Sequence, residues 1–178
     1  GKAFAEVVNK RGSDDSLIVA ASAATATRLA QGAYPGNSMD QVKWVGTIGA
    51  DYGVIAVAGD SDVVTLGELL ENLKNKPKKW VIGGGSAVGG WDHLKVLMAA
   101  KEYGISNVRK IKYVSFDGGG DAVTQLLAGN VQIFTGDVSE IKGFVDAGDI
   151  KIIAVLSPDR LPGDFSKFYT AKEQGVNV

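Results

Sequence analysis

Short runs of apolar and β-branched residues alternate with stretches whose apolar positions recur at spacings of three and four, nearly from one end of the chain to the other. That alternation is the signature of strand-helix units and predicts an α/β fold. Strands are expected at residues 16–20, 42–48, 53–58, 80–83, 111–116, 131–134 and 150–156. Several are continuously apolar, as strands covered on both faces are. A helix capped by Asp62 or Thr65 would carry Leu66, Leu69, Leu70 and Leu73 on one face and stop before Pro77. Another is expected over 90–103, with Leu94, Leu97 and Met98 inward and Gly104 just past its end. Two more are expected at 120–128, with Ala122, Val123, Leu126 and Leu127 on one side, and at 138–147, stopped by Gly148. A weak helix runs through Thr27, Arg28 and Leu29. Residues 157–178 lose the alternation and read as an irregular excursion with one short helix near 170–174.

Three strand-to-helix turns share a composition of small residues. The first is Ala21-Ser22-Ala23-Ala24-Thr25, the second runs from Gly83 to Gly90, and the third is Asp117-Gly118-Gly119-Gly120-Asp121. In open α/β sheets the loops leaving strand C-terminal ends are where ligands bind, because helix N-termini there point free N–H groups and positive dipole ends outward. Small side chains leave those amides open to a carboxylate or phosphate, so an anion is held without Lys or Arg. The competing reading is that the glycines only supply tight turns and close helix-sheet packing.

Composition narrows the function classes. The chain has 178 residues, 45% hydrophobic and 22% charged, which is ordinary for a globular protein, and 24 glycines, which is not. Nineteen Lys and Arg against 20 Asp and Glu leave a net charge of −1, so no global field recruits nucleic acid or an anionic membrane. The four lysines of 74–79, with Pro77 among them, read as a solvated helix end. No apolar run reaches membrane-spanning length. Zero cysteines exclude thiol catalysis and thiolate zinc sites, and a single histidine excludes a His-rich metal site. No metal or cofactor is called for.

Familiar chemical fingerprints fail. The second turn lacks the Gly-Lys-Ser/Thr ending of a Walker loop, and Val88 breaks the G-x-G-x-x-G dinucleotide pattern. Gly84-Gly85-Ser86-Ala87-Val88 is not a nucleophile elbow. His93, one turn into the following helix, is expected to donate to a loop carbonyl and support the turn, and Asp92 to act as a helix-dipole or capping carboxylate. Trp91 and Phe116 are candidates for the apolar wall of a pocket.

The string Trp80-Val-Ile-Gly-Gly-Gly-Ser-Ala-Val-Gly-Gly-Trp-Asp-His93-Leu94 resembles the strand, small-residue loop and His-Leu helix start of the solute-binding proteins of tripartite tricarboxylate transporters. Phe116-Asp-Gly118-Gly-Gly-Asp-Ala122-Val-Thr124-Gln-Leu126-Leu127-Ala-Gly129-Asn-Val131 is similar to their aromatic-x-Gly-x-x-x-Ala block, which ends in Leu-Leu-x-Gly-x-Val. Ser139-Glu140, Ala147-Gly148, Ile153-Ala154-Val155, Ser157, Arg160-Leu161-Pro162 and Thr170-Ala-Lys-Glu173-Gln-Gly175 follow in the family's order. The resemblance covers most of the chain from Ser16 to Gly175.

It implies a two-lobed, periplasmic binding protein of the Venus-flytrap kind that captures a small carboxylate, without catalysis, and delivers it to a membrane permease. Carried over residue by residue, it puts ligand contacts on Ser22, Ala24 and Thr25 of one lobe, and on Ser86, Ala87, Gly89, Gly119, Gly120 and Gly136 of the other. It also implies that the chain is the middle of a family member, with a partial first lobe at 1–53, a second lobe at 54–165 and a tail at 166–178 returning toward the first lobe. Departures from the pattern are the region Phe134-Thr135-Gly136-Asp137, where many relatives carry an Asp one place earlier, and Arg28-Leu29 in place of Asn-Pro. Asp117, Asp121 and Asp137 would favour a ligand bearing an amino group. Two rivals come from other classes: an α/β enzyme acting on a phosphorylated or carboxylated metabolite with His93 or Asp92 as acid/base, and the ligand-sensing lobe of a transcription regulator.

Overall fold

A strand persists only where a neighbouring backbone completes its ladder, and that condition separates the two parts of this chain. The computed structural model describes residues 2–178. They form two compact units, the first ending at Ala50 and the second comprising Asp51–Val178.

The first unit holds helices α1 (Lys2–Lys10) and α2 (Ala23–Ala30) and a 3-10 turn, Met39–Gln41. Helix α1, unforeseen from sequence, buries Phe4, with Val7 and Val8 half-buried at helical spacing beside it. Helix α2 buries Leu29 alone. The strands expected at 16–20 and 42–48 are not formed. Both segments have the β-branched composition of strands, but no described backbone pairs with either one. Ile18 is 86% exposed, Val45 85% and Ile48 100%.

The second unit is a layered α/β fold: β1 (Gly53–Ala58), α3 (Leu66–Asn75), β2 (Ile82–Gly84), α4 (Trp91–Glu102), β3 (Tyr113–Ser115), α5 (Gly119–Leu127), β4 (Ile133–Asp137), α6 (Val138–Asp146) and β5 (Ile150–Leu156). The sheet order is β3-β2-β4-β1-β5, with β2 parallel to β3 and β4, and β1 antiparallel to β4 and β5. The sheet is covered on both faces, which explains the continuous apolar runs of β1 and β5. Ile55 and Val57 point into one core with Leu66, Leu69, Leu70, Leu73, Val96 and Ile133. Val54 and Ala56 point into the other with Ala122, Val123, Phe134 and Ile141.

Helix α3 forms where the leucine spacing predicts it. Thr65 is its N-cap: the Glu68 N–H donates to Thr65 Oγ1 at 3.2 Å, and Glu68 Oε2 accepts from the Thr65 N–H at 3.1 Å. Its four leucines are fully buried, each contributing about 1.5–3 kcal/mol. Helix α4 sits at its expected place but turned. Val96, Ala99 and Ala100 face the core with Asp92 and Lys95, whereas Leu94 and Leu97 are half-buried and Met98 is exposed. Leu127 of α5 is likewise exposed. Residues 166–178 belong to the second unit: Thr170 bridges Val155, and Ala171 and Val176 sit in the core with Leu69 and Leu70. No helix forms at 170–174, only turns, with Thr170 Oγ1 accepting from the Glu173 N–H at 3.0 Å.

Candidate functional site

Strands β2, β3 and β4 are mutually parallel, so their C-terminal ends lie at one edge of the sheet. Each is followed by a helix, and the first turns of α4, α5 and α6 gather at that edge. The two glycine turns there meet backbone to backbone. A Cβ on Gly85 would fall 2.6 Å from Gly118 C and 2.7 Å from Gly119 N, so no larger residue fits without parting the loops. Gly118, the N-cap of α5, has φ 115°, a conformation that favours glycine.

The turn from Gly85 to Gly90 is held from three sides. Ser86 Oγ accepts from the Asp92 N–H at 2.9 Å, capping the first turn of α4 and leaving its own hydroxyl proton to donate elsewhere. The Tyr113 hydroxyl donates to Ser86 O at 2.7 Å, and burial pushes its pKa up to about 12, so it stays a donor. Gly89 N–H donates to His93 Nδ1 at 3.0 Å. His93 therefore supports the turn as an acceptor, not as the expected donor to a carbonyl. Burial lowers its pKa, its ring stacks on Tyr113 with centroids 4.5 Å apart, and its proton sits on Nε2.

Asp92 also differs from expectation. It lies in the first turn of α4, but its carboxylate turns inward and accepts from Lys95 Nζ at 2.9 Å instead of capping the helix. Lys95 Nζ donates further to Gly136 O at 2.7 Å and to Asp137 Oδ1 at 2.5 Å. Its three donors are thus satisfied, its side chain is 1% exposed, and its stem packs on Gly53, where a Cβ would lie 2.8 Å from Lys95 Cδ. This cation ties α4 to the start of α6 and cannot reach a ligand. The spacing Asp92-x-x-Lys95 was a visible signal for half of the cluster. Asp137, on another strand, was not.

Glu140 closes the edge from α6. Its Oε2 accepts from the Asp137 N–H at 2.8 Å in a capping box, and its carboxylate lies against Gly119 and Gly136, filling the space a side chain on either would need. Burial raises its pKa, reinforced by the charges of Asp137 and Asp92 and opposed by the Asp137 N–H and by Lys95.

Of the residues expected from sequence, Ser86, Ala87, Gly89, Gly119, Gly120 and Gly136 come together at this edge of the second unit. Ala87 and Gly120 are exposed, whereas Gly119 and Gly136 are buried. A shallow depression of about 470 Å³ opens between the two turns, lined by Gly85, Ala87, Ser115, Phe116, Asp117 and Asp121. Phe116 thus lines it, while Trp91 instead lies under Lys95, its ring 5.7 Å from Nζ. Ser22, Ala24 and Thr25 belong to the first unit. Ser22 is the N-cap of α2 and Thr25 N–H donates to Ser22 O at 2.9 Å, so they form a helix start of the same kind.

Several solved structures share this fold. A TctC solute-binding protein from Polaromonas, without ligand, is 26% identical over 72% of this chain and 42% of its own, with a TM-score of 0.63. MatC from Rhodopseudomonas palustris with bound malate is 16% identical over 71% of this chain and 41% of its own, at 0.62. A further R. palustris protein, with adipate, is 24% identical over 71% and 40%, also at 0.62. This chain spans about two fifths of the length of these proteins. A search of curated proteins found no match. Among the described residues no helix is long and apolar enough to cross a membrane. The model of the tripartite tricarboxylate transporter family receptor matches residues 6–178, and the chain belongs to that family.

Proposed function

We propose that this chain is part of an extracytoplasmic receptor that captures a small di- or tricarboxylate and passes it to the membrane permease of a tripartite transporter, without catalysis. The observation that carries the reading is the meeting of the Gly85 and Gly118-Gly119 turns at the edge where three helices begin. A carboxylate there would take N–H groups from helix first turns and the free proton of the Ser86 hydroxyl. Ser22, Ala24 and Thr25 offer a second donor set of the same kind, and Gly136 and Gly120 flank the first. The malate and adipate in two proteins of the same fold are ligands of this class.

No cationic side chain lines the depression, so recognition rests on oriented dipoles and hydroxyls, with bridging water where direct contact falls short. Asp117 and Asp121 on its wall disfavour ligands with charge on every side and favour one with an amino group at that end. An enzyme using His93 as acid or base is disfavoured because its Nδ1 is engaged by Gly89.

Thermal-shift measurement against malate, adipate, citrate, amino acids and nucleotides tests the reading. A carboxylate should raise the melting temperature, and Ser86→Phe should remove that rise while circular dichroism stays unchanged. A response to nucleotides with none to any carboxylate overturns it.

A further inference from the structure

Helices α3 and α6 begin with the same capping box and place it in opposite surroundings. At α3, Glu68 Oε2 accepts from the N–H groups of Val64 and Thr65 at 3.0 and 3.1 Å, and these bonds hold its pKa below the usual carboxylate range. At α6, Glu140 Oε2 accepts from the Asp137 N–H alone, and Oε1 takes no hydrogen bond among the described residues. That oxygen lies against Gly119, in the place a side chain there would fill. Gly119 opens α5, so its N–H is one of the donors without an intrahelical partner. Glu140 thus flanks the donors of the glycine turns without using them. The charged groups around it supply no free cation. Asp92 and Lys95 face it from α4 and Asp137 from the end of β4, but Lys95 Nζ is spent on both aspartates and on Gly136 O. Asp117 and Asp121 lie beyond, on the wall of the depression before and within the first turn of α5. On α6 itself Lys142 is paired with Asp146 and Asp164, and Ser139 donates to Asp51; after β5, Arg160 is paired with Glu173.

We propose that Glu140 takes up a proton from solvent when a carboxylate occupies the glycine turns, so that capture of the solute is coupled to proton uptake. The inference rests on the carboxylate reading of this site. An acid held by the first N–H groups of α5 and by the Ser86 hydroxyl sits within the roughly 4–6 Å over which like charges shift each other's protonation. Ionised Glu140 opposes it, and no unspent cation stands by to neutralise the pair. With the proton on Oε1, the same side chain donates a charge-assisted hydrogen bond to the ligand, while Oε2 keeps the Asp137 N–H. Only an O–H bond is made, at the expense of one in the solvent. Burial, with the charges of Asp137 and Asp92 adding to it, already biases Glu140 toward its neutral form before any ligand arrives.

The test is isothermal titration with malate or adipate, whichever gives the larger thermal shift, in two buffers of different ionisation enthalpy, which counts the protons taken up per ligand. Near pH 6.5 ordinary carboxyls of the probe are ionised. Uptake on the order of half a proton per ligand is expected there, with affinity several-fold tighter than at pH 8. Glu140→Gln, an isostere of the protonated acid that can still cap α6, should bind without uptake, with little pH dependence, and several-fold more tightly than the parent at pH 8. Glu68→Gln, the same change in the other capping box, should behave as the parent does. Any uptake by His93, whose pKa burial holds below 6.5, would survive in Glu140→Gln. Should that variant lose its circular dichroism signal, the carbon NMR shift of the Glu140 carboxyl in the parent answers the same question: its titration midpoint should rise by about one pH unit or more on saturation with the probe. Binding without proton uptake, uptake that survives in Glu140→Gln, or an unmoved Glu140 midpoint overturns the proposal and leaves the carboxylate reading standing. Failure of malate and adipate to bind also overturns it, and the carboxylate reading falls with it only when citrate and the amino acids fail too.

Discussion

The two units contain the same kind of sequence and meet different fates. Residues 16–20, Leu17-Ile18-Val19 at their centre, and residues 53–58, built on Val54-Ile55-Ala56-Val57, both read as strands followed by a helix. The second becomes β1, paired on both sides and buried from Gly53 to Val57. The first has no described partner, and Ile18 stands 86% exposed. Strand propensity is a fit to a pleated, half-buried surface, so it is expressed only where other strands supply that surface.

The largest expected effect separates the units by what surrounds a side chain. Lys95→Met leaves Asp92 and Asp137 facing each other without their shared cation, which should cost the second unit about 3–5 kcal/mol in urea denaturation, toward the lower figure because Asp137 is 31% exposed. Asp137→Asn in the same background should recover part of that loss. Next comes Gly85→Ala, whose methyl would press on Gly118 and Gly119. It should cost about 1–3 kcal/mol and also abolish any thermal shift with a carboxylate.

A smaller effect is read from pH. Because burial holds the His93 pKa below its ordinary 6.5, the unfolded chain binds a proton first as pH falls. The contribution of His93 to stability is present above pH 6.5 and is lost progressively as pH drops from there toward the depressed folded value. His93→Asn should remove that slope from a plot of melting temperature against pH. Glu140 has the opposite sign: its raised pKa makes stability fall as pH climbs from 4.5 through the folded value, and Glu140→Gln should flatten that limb. The smallest effect falls in the first unit. Ile48→Ser, at a fully exposed position, should change stability by less than about 0.5 kcal/mol, and a larger loss would show that the segment is buried in solution.

Much of the second unit is legible in its sequence because the signals are local. The Thr65 and Glu68 capping box, the leucines of α3 and the small residues after β2 and β3 each announce an element within a few positions. What escaped was set by distant partners. The inward face of α4 was assigned to Leu94, Leu97 and Met98 by hydrophobicity, but Lys95 takes part of it because Asp137 and Gly136, some 40 residues on, receive its charge. The failed strands at 16–20 and 42–48 are the same error reversed, local pattern without a partner. The candidate site was visible as composition, since glycines mark where backbones approach. The roles of Ser86 as a cap, Tyr113 as a prop and His93 as an acceptor required the packed turn.

The position of β1 in the sheet has a consequence for how the protein comes into being. It lies between β4 and β5, which occur last among the strands of its unit, so a chain growing on the ribosome carries an unpaired and wholly apolar segment until nearly all of that unit has emerged. The sheet of this unit is therefore completed late, and until then β1 is an exposed apolar segment open to association with other chains.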